Sequence, residues 1–381
     1  MSIRANRSAT VEDFPTLGRE TWLNHAAIAP WPRVVIEAMQ HFIADNARHG
    51  PRSYRNWLTI EAQLRQRLAT LLGGLDPEDI AITENTSAGL NLIATGLDWR
   101  SRDRIVIPAG EFPSNRLPWF ALAERGIEVV EVDLPSENPE SALIDAIDPS
   151  TRLMSVSAVR YDTGVRLDLE KLGSACQKNN VLLCVDAIQQ VGALPIDPQS
   201  CGVDFLAAGA HKWLMCPEGI GFFWSSAQAR VQLRQTRHGW RMCSQPFDFD
   251  KSDWQPQPSA RRFEIGTLNT AGIHALHAAT GLMLEYGPET IAESLLERTG
   301  HLYQALQAIE GVEISTPADS GRRAGIISFC HSRHSPKTLF RALADQGIHA
   351  AVRGTQLRLS PHFYTPVEAL DATVEVIAQM P

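Results

Sequence analysis

Apolar and polar positions along the 381 residues switch between a helical period and short apolar runs. Residues 31–48 carry Val34, Val35, Met39, Phe42 and Ile43 at helical spacing and stop at Gly50-Pro51. A second helix is expected from about Trp57 to Leu72, closed by Gly73-Gly74. Strand-type runs then follow at Ile80–Thr83, Arg104–Pro108, Glu128–Val132, Arg152–Ser157, Val181–Val185, Phe205–Ala208 and Ile220–Trp224. Helical stretches lie between several of them, at 86–97, 114–125, 139–147 and 168–179. This alternation predicts an α/β fold, a mostly parallel sheet with helices on both faces.

The Pro- and Gln-rich stretch SQPFDFDKSDWQPQPSARR (244–262) breaks the rhythm, and an apolar helix is expected after it over 270–287. A lobe boundary is therefore placed near residue 260. The expected organisation is a large lobe of residues 17–260 and a smaller α+β lobe of residues 261–381, joined by the N-terminal residues 1–16. In an open parallel sheet, ligands sit beyond the carboxyl ends of the strands, so candidate chemistry is sought there.

Composition narrows the function classes. A hydrophobic fraction of 44% and a charged fraction of 20% are those of an ordinary soluble enzyme. A formal net charge of −8 argues against a nucleic-acid partner, which needs a basic face. No apolar run approaches the ~20 residues of a membrane span, and the start MSIRANRSATVEDFPTLG has no secretory core. The six cysteines show no CxxC pair and no framework spacing. The expectation is a cytoplasmic protein with reduced thiols, no membrane partner and no metal site.

Three strand ends carry polar groups. VLLCVDAIQQVG (181–192) ends an apolar run on Asp186, with Gln189 three residues later. ITENTSAGLN (82–91) sets Asn85, Thr86 and Ser87 where a strand gives way to a helix. DFLAAGAHKWLMCPEGIGFFW (204–224) places His211 and Lys212, one of only five lysines, between two apolar runs. Singly, each has a plain alternative: a helix cap after a strand, an N-cap, a solvated lysine. Together they suit pyridoxal phosphate, which needs a lysine amine for its aldehyde, an acid for its ring nitrogen and amide donors for its phosphate. Lys212, Asp186 and the start of helix 86–97 with the Thr86 and Ser87 hydroxyls supply these in turn, with Gln189 placed to bond the ring oxygen.

With the motifs VDAIQQVG, GAHKWLMCPEGIGFFW, RFEIGTLNTAGI (262–273) and LRLSPHFYTP (357–366), the chain resembles the class V aminotransferase family of fold-type I pyridoxal-phosphate enzymes. That group holds cysteine desulfurases, selenocysteine lyases and isopenicillin-N-epimerase-like proteins. The likeness runs from about WLNHAAIAP (22–30) to SPHFYTPVEAL (360–370). It implies covalent cofactor attachment at Lys212, with His211 beside the phosphate region and Asp186 on the pyridinium. It further implies Gln189 near the ring hydroxyl, and Thr86 and Ser87 on the phosphate. The family's stacking ring falls in GEFPSN (110–115), so Phe112 takes that place and can stack without handling a proton. Thr267 in RFEIGTLNT corresponds to a phosphate contact made across a dimer, so a homodimer with shared sites is expected. Arg358 corresponds to the clamp on the substrate carboxylate, whose planar fork suits bidentate binding. His25, Arg52, Trp240, Arg241 and Arg353 lie where relatives shape the substrate pocket.

Departures from the pattern carry weight. Tyr161 stands where cysteine desulfurases have an asparagine, and Gly209 where many have a serine. GIHAAVRGTQLR, ending at Arg358, has no counterpart to the desulfurases' nucleophilic cysteine loop. The substrate is expected to be an amino acid or related amine, with freed Lys212 moving the Cα proton. Transamination is the first expectation because it needs nothing further. A C–S or β-lyase without a catalytic cysteine comes second, an epimerase or racemase third, and a non-catalytic binding protein of the same fold last.

Overall fold

The computed structural model describes residues 10–135, 137–250 and 252–380. Within them the strands are β1 (Thr21–Trp22), β2 (Ile80–Thr83), β3 (Arg104–Pro108), β4 (Glu128–Val132), β5 (Thr151–Ser157), β6 (Leu182–Asp186) and β7 (Phe205–Gly209). β8 (Gly221–Ser225), β9 (Val312–Ile314), β10 (Ile327–His331), β11 (Ile348–His349), β12 (Ala351–Arg353) and β13 (Gln356–Leu359) complete them. The helices are α1 (Arg33–His49), α2 (Tyr54–Leu71), α3 (Thr86–Gly96), α4 (Leu117–Phe120), α5 (Pro139–Asp145) and α6 (Leu169–Lys178). α7 (Ala227–Arg230), α8 (Thr270–Tyr286), α9 (Pro288–Gln307), α10 (Pro336–Ala344) and α11 (Val367–Ala378) follow.

Seven strands form one sheet in the order β2-β8-β7-β6-β5-β3-β4. β8 runs antiparallel to both neighbours and the other pairings are parallel. The seven expected strands are these seven, and their apolar character has a plain cause. Successive side chains point to opposite faces, and both faces are covered. Val106, Leu183 and Val185 enter one core with α2, α6 and α8, whereas Ile105, Ile107, Leu182 and Cys184 enter the other with α3 and Trp119.

Two expectations are corrected. The helix expected over 114–125 is broken into a 3-10 turn at Pro113–Asn115, the four-residue α4 and a second turn at Ala123–Arg125. Pro113 and Pro118 deny backbone donors there, and Gly126 closes the segment in the left-handed region.

The lobe boundary also moves. α8 lies beyond residue 260, yet Ile273, Leu276 and Met283 share a core with Leu64 and Leu68 of α2. The change of core falls within α9: Ile291 and Leu295 belong to the large lobe, Leu302 and Leu306 to the small one. The small lobe is built on the sheet β12-β13-β10-β9. At the other end, β1 pairs in parallel with β11, so the chain touches the small lobe where the large one was expected to begin. Of the tail assigned to the small lobe, residues 1–9 lie outside the described residues. Phe14 is buried in the large-lobe core and stacks on Tyr364 at 3.9 Å.

Candidate active site

The carboxyl ends of β5, β6 and β7 lie side by side, with Ser157 opposite Asp186 and Asp186 opposite Ala207. β7 ends at Gly209, and the turn to β8 brings Lys212 back over those strand ends. The turn is tight: Met215 sits at φ +51 and donates its N–H to the Lys212 carbonyl at 3.0 Å. Lys212 is 7% exposed. Burial pushes its amine down to about 8; Asp186 opposes the shift, and Arg358 and Arg353 add to it. Asp186 is fully buried and burial pushes it up to about 6, against an N–H from Ile188 at 3.0 Å and the charge of Lys212.

Phe112 supplies an open aromatic face. It is 41% exposed, far from a core position, and its ring centre lies 5.5 Å from Lys212 Nζ. Tyr161 meets the same ring edge-on at 5.2 Å. On β13, Arg358 is 1% exposed and gives one donor, Nη1, to the Tyr161 carbonyl at 2.6 Å. Its Nε and Nη2 have no partner among the described residues. Burial and the neighbouring Arg353 push this guanidinium down to about 9. A buried arginine with two unmet donors is costly alone and suited to a carboxylate that enters from outside.

Asn85 caps α3 through its Oδ1, which accepts from the Ala88 N–H at 2.9 Å. The N–H groups of Thr86 and Ser87 precede that bond and stay open in the helix's first turn. The Thr86 hydroxyl accepts from the Gly209 N–H at 2.9 Å, joining α3 to the strand that carries Lys212. The Ser87 hydroxyl donates to Ser114 at 2.8 Å. His211 follows Gly209 closely: a Cβ at 209 would stand 3.3 Å from its ring. Burial and the Lys212 charge lower its pKa. Thr267 is exposed, in a crevice shared with Thr83, Glu84 and Ala88 beside the start of α3.

Comparison with known proteins decides what this arrangement belongs to. The class-V aminotransferase profile matches residues 21–362. The chain belongs to that family. Among curated relatives, a probable cysteine desulfurase of Methanothermobacter thermautotrophicus is 29% identical, covering 97% of each chain. The isopenicillin N epimerase of Streptomyces clavuligerus is 29% identical, covering 93% of each. The cystine C–S lyase C-DES, solved with its product cysteine persulfide, superposes with a TM-score of 0.90 at 26% identity, over 96% of this chain and 99% of its own. A mutant of C-DES with glycine covalently linked to its pyridoxal-phosphate cofactor gives 0.92 at 25% identity, over 98% of this chain and 100% of its own.

Pyridoxal phosphate is the cofactor of this class V enzyme, and the residues fit it. Lys212 offers a buried amine of lowered pKa, Asp186 a buried carboxylate, Phe112 a ring face and α3 an open first turn.

Other expected residues land elsewhere. His25, expected at the substrate, is fully buried with both ring nitrogens engaged. Nδ1 meets the Ser360 carbonyl at 2.9 Å and Nε2 the Tyr364 hydroxyl at 2.7 Å. It is a core residue, because neither nitrogen is left for a ligand. Arg241 is likewise withdrawn into a buried ion-pair cluster with Glu61, Arg65 and Glu264. Trp240 packs against Phe247 and Phe249, and Arg52 is exposed in the turn Gly50–Ser53. Arg353 does face the site, since its charge reaches both Arg358 and Lys212. Gln189 is engaged at both ends of its amide, donating to the Ala26 carbonyl at 3.0 Å and accepting from Trp213 Nε1 at 2.8 Å.

Sequence reasoning missed Glu111. It is 5% exposed and accepts from the Ser157 N–H at 2.7 Å and hydroxyl at 2.5 Å. Burial raises it to about 7; the Ser157 bonds oppose that, and the charge of Asp186 adds to it. Its signal was available as an acid directly preceding Phe112 at the end of an apolar run.

Proposed function

We propose that the chain is a pyridoxal-phosphate-dependent C–S lyase that cleaves the Cβ–S bond of a sulfur amino acid and releases the sulfur on its product, without a protein thiol. This ranks above transamination, the first expectation from sequence. The observation carrying it is a substrate clamp with no thiol on it: Arg353 and Arg358 sit on the hairpin β12–β13, which contains no cysteine. A thiolate acceptor must be accessible and of low pKa. Cys176, Cys184 and Cys216 are buried with raised pKa values, burial also raises Cys201, and the Cys330 sulfur faces Glu313 at 3.9 Å. Cys243, half-buried in a crevice with Trp240 and away from the Arg353–Arg358 hairpin, is the one candidate acceptor left. The full-length similarity to C-DES, which is named as a cystine C–S lyase, supports the same reading.

The bound cofactor supplies an electron sink for the substrate's α-carbon. Arg358 receives the α-carboxylate through Nε and Nη2, its open donors. Asp186, buried at the end of β6, would hold its negative charge towards the bound cofactor's ring nitrogen. The neutral Lys212 amine takes the Cα proton, which its lowered pKa permits near neutral pH. The Cα–H electron pair becomes the Cα–Cβ double bond, and the Cβ–S pair leaves with sulfur, which takes up a proton. Water then releases the remainder as pyruvate and ammonia. Arg353 adds a second positive charge beside the first, which suits a substrate with a second carboxylate beyond the sulfur, as in cystine.

The test is to incubate purified protein with cystine, cysteine and pooled amino acids, with and without keto acids. Release of pyruvate and a persulfide that survives replacement of all six cysteines supports the proposal. Keto-acid exchange without pyruvate would overturn it in favour of transamination, and inverted stereochemistry alone in favour of epimerisation.

A further inference from the structure

The structure assigns His362 as the positioning residue of Lys212. Three consecutive carbonyls around the lysine are each pinned from a different part of the chain. The His211 carbonyl accepts from the Ala29 N–H at 2.9 Å, and the Lys212 carbonyl from Met215 at 3.0 Å. The Trp213 carbonyl lies 3.0 Å from His362 Nε2. Of these three donors, His362 alone is a side chain.

Its tautomer is fixed by its other nitrogen. Nδ1 accepts the Phe363 N–H at 2.8 Å, so Nε2 carries the proton and donates it to Trp213. The ring is fully buried; His25 meets it edge-on at 5.1 Å and Tyr364 stacks on it at 5.4 Å. Burial and the nearby Arg298 charge push His362 down to about 4, despite the bond to Trp213, so it is neutral at working pH. The charge-bearing groups facing it are His25, Tyr364 and Arg298, and His25 is also held neutral by burial.

The residue that His362 grips is itself locked. The Trp213 indole donates to Gln189 at 2.8 Å. A Cβ at Gly325 would stand 2.2 Å from its ring, and a Cβ at Gly192 would stand 2.6 Å from its carbonyl oxygen. Both glycines leave room for this one residue. The anchor therefore sets where the lysine stem leaves the backbone, and hence how deeply its amine is buried. His362 acts on Lys212 through the Trp213 carbonyl.

The inference rests on Lys212 being the cofactor's amine. Borohydride reduction and peptide mapping of the wild type therefore come first, because an adduct elsewhere sinks that reading and leaves the clamp aside. The test proper compares His362→Phe with His362→Gln, whose amide retains a donor near Nε2. In protein stripped of cofactor, Lys212 acetylation is followed against pH by peptide mass. His362→Phe should move the midpoint up by about one pH unit, towards an ordinary lysine, and should speed cofactor loss from the holoenzyme roughly tenfold. His362→Gln should recover most of both. If His362→Phe does not fold, His362→Asn, too short to reach the carbonyl, carries the same test. A lowered melting temperature with an unchanged Lys212 profile and unchanged cofactor loss would make His362 merely structural and overturn the proposal.

Discussion

Burial raises two carboxyls near the Lys212 amine, Glu111 to about 7 and Asp186 to about 6. Each holds its proton more tightly in the folded chain than in the unfolded one. The stability this gives is present at low pH and is lost as pH rises through the folded value. For Glu111 the window runs from an ordinary value near 4.5 up to about 7. Glu111→Gln keeps partners for Ser157 and removes the charge. Between pH 5 and 8 the cofactor-free variant should therefore gain progressively on the wild type in denaturant melts, by up to about 3 kcal/mol. Parallel melts across that range would show that Glu111 carries no such penalty. Lys212 and Asp186 stand out in the sequence because each closes an apolar run, where only chemistry or solvent accounts for it, whereas Phe112 and Arg358 are reached only through the family resemblance. The internal bonds of His25 and Gln189 are not legible there. Their partners, Ser360 and Trp213, are 335 and 24 residues away, and a spacing rule reaches neither.

At the scale of elements, α3 is the helix expected to receive the cofactor phosphate, and Asn85 fixes where it begins. Without its Oδ1, the Ala88 N–H loses its acceptor and the first turn frays. Asn85→Ala should cost about 1 kcal/mol of stability. Cofactor affinity, followed by fluorescence, should fall severalfold, because the same turn presents the Thr86 and Ser87 donors. A loss of stability with affinity intact would place the phosphate elsewhere. The strands around α3 were legible because both their faces are buried, which leaves a continuous apolar run. The break over 113–125 was overlooked although both prolines were in view: apolar spacing continues through Leu117, Phe120 and Leu122 and hides the lost donors. The boundary near 260 was misread for a related reason. A Pro- and Gln-rich excursion marks a surface loop, whereas the partner of an apolar helix is chosen by α1 and α2, more than 200 residues earlier.

For the whole molecule, one group of exposed aromatic side chains has no partner within the described chain's core. Phe247, Phe249 and Trp254 are 53%, 76% and 48% exposed. Their segment is tied to the Thr267 loop, since the Arg241 N–H donates to the Ile265 carbonyl and Gly239 leaves room for that same carbonyl. Exposed aromatics grouped on one loop favour a covering partner. The family resemblance implies that a second copy's Thr267 reaches the phosphate at the first turn of its neighbour's α3. The expectation is a homodimer in which Lys212 of one protomer and Thr267 of the other serve the same cofactor. Lys212→Ala dimers lack covalent attachment at both sites, and Thr267→Ala dimers lack a phosphate contact at both. In a hybrid of the two, one site regains both groups and the other loses both. Mixed and reassembled protein should therefore show a class of tight cofactor sites that neither parent shows, measured by titration of bound cofactor. If Lys212 and Thr267 serve the same site within one chain, mixing creates no such class, and a stable monomer with full cofactor affinity would remove the shared site altogether.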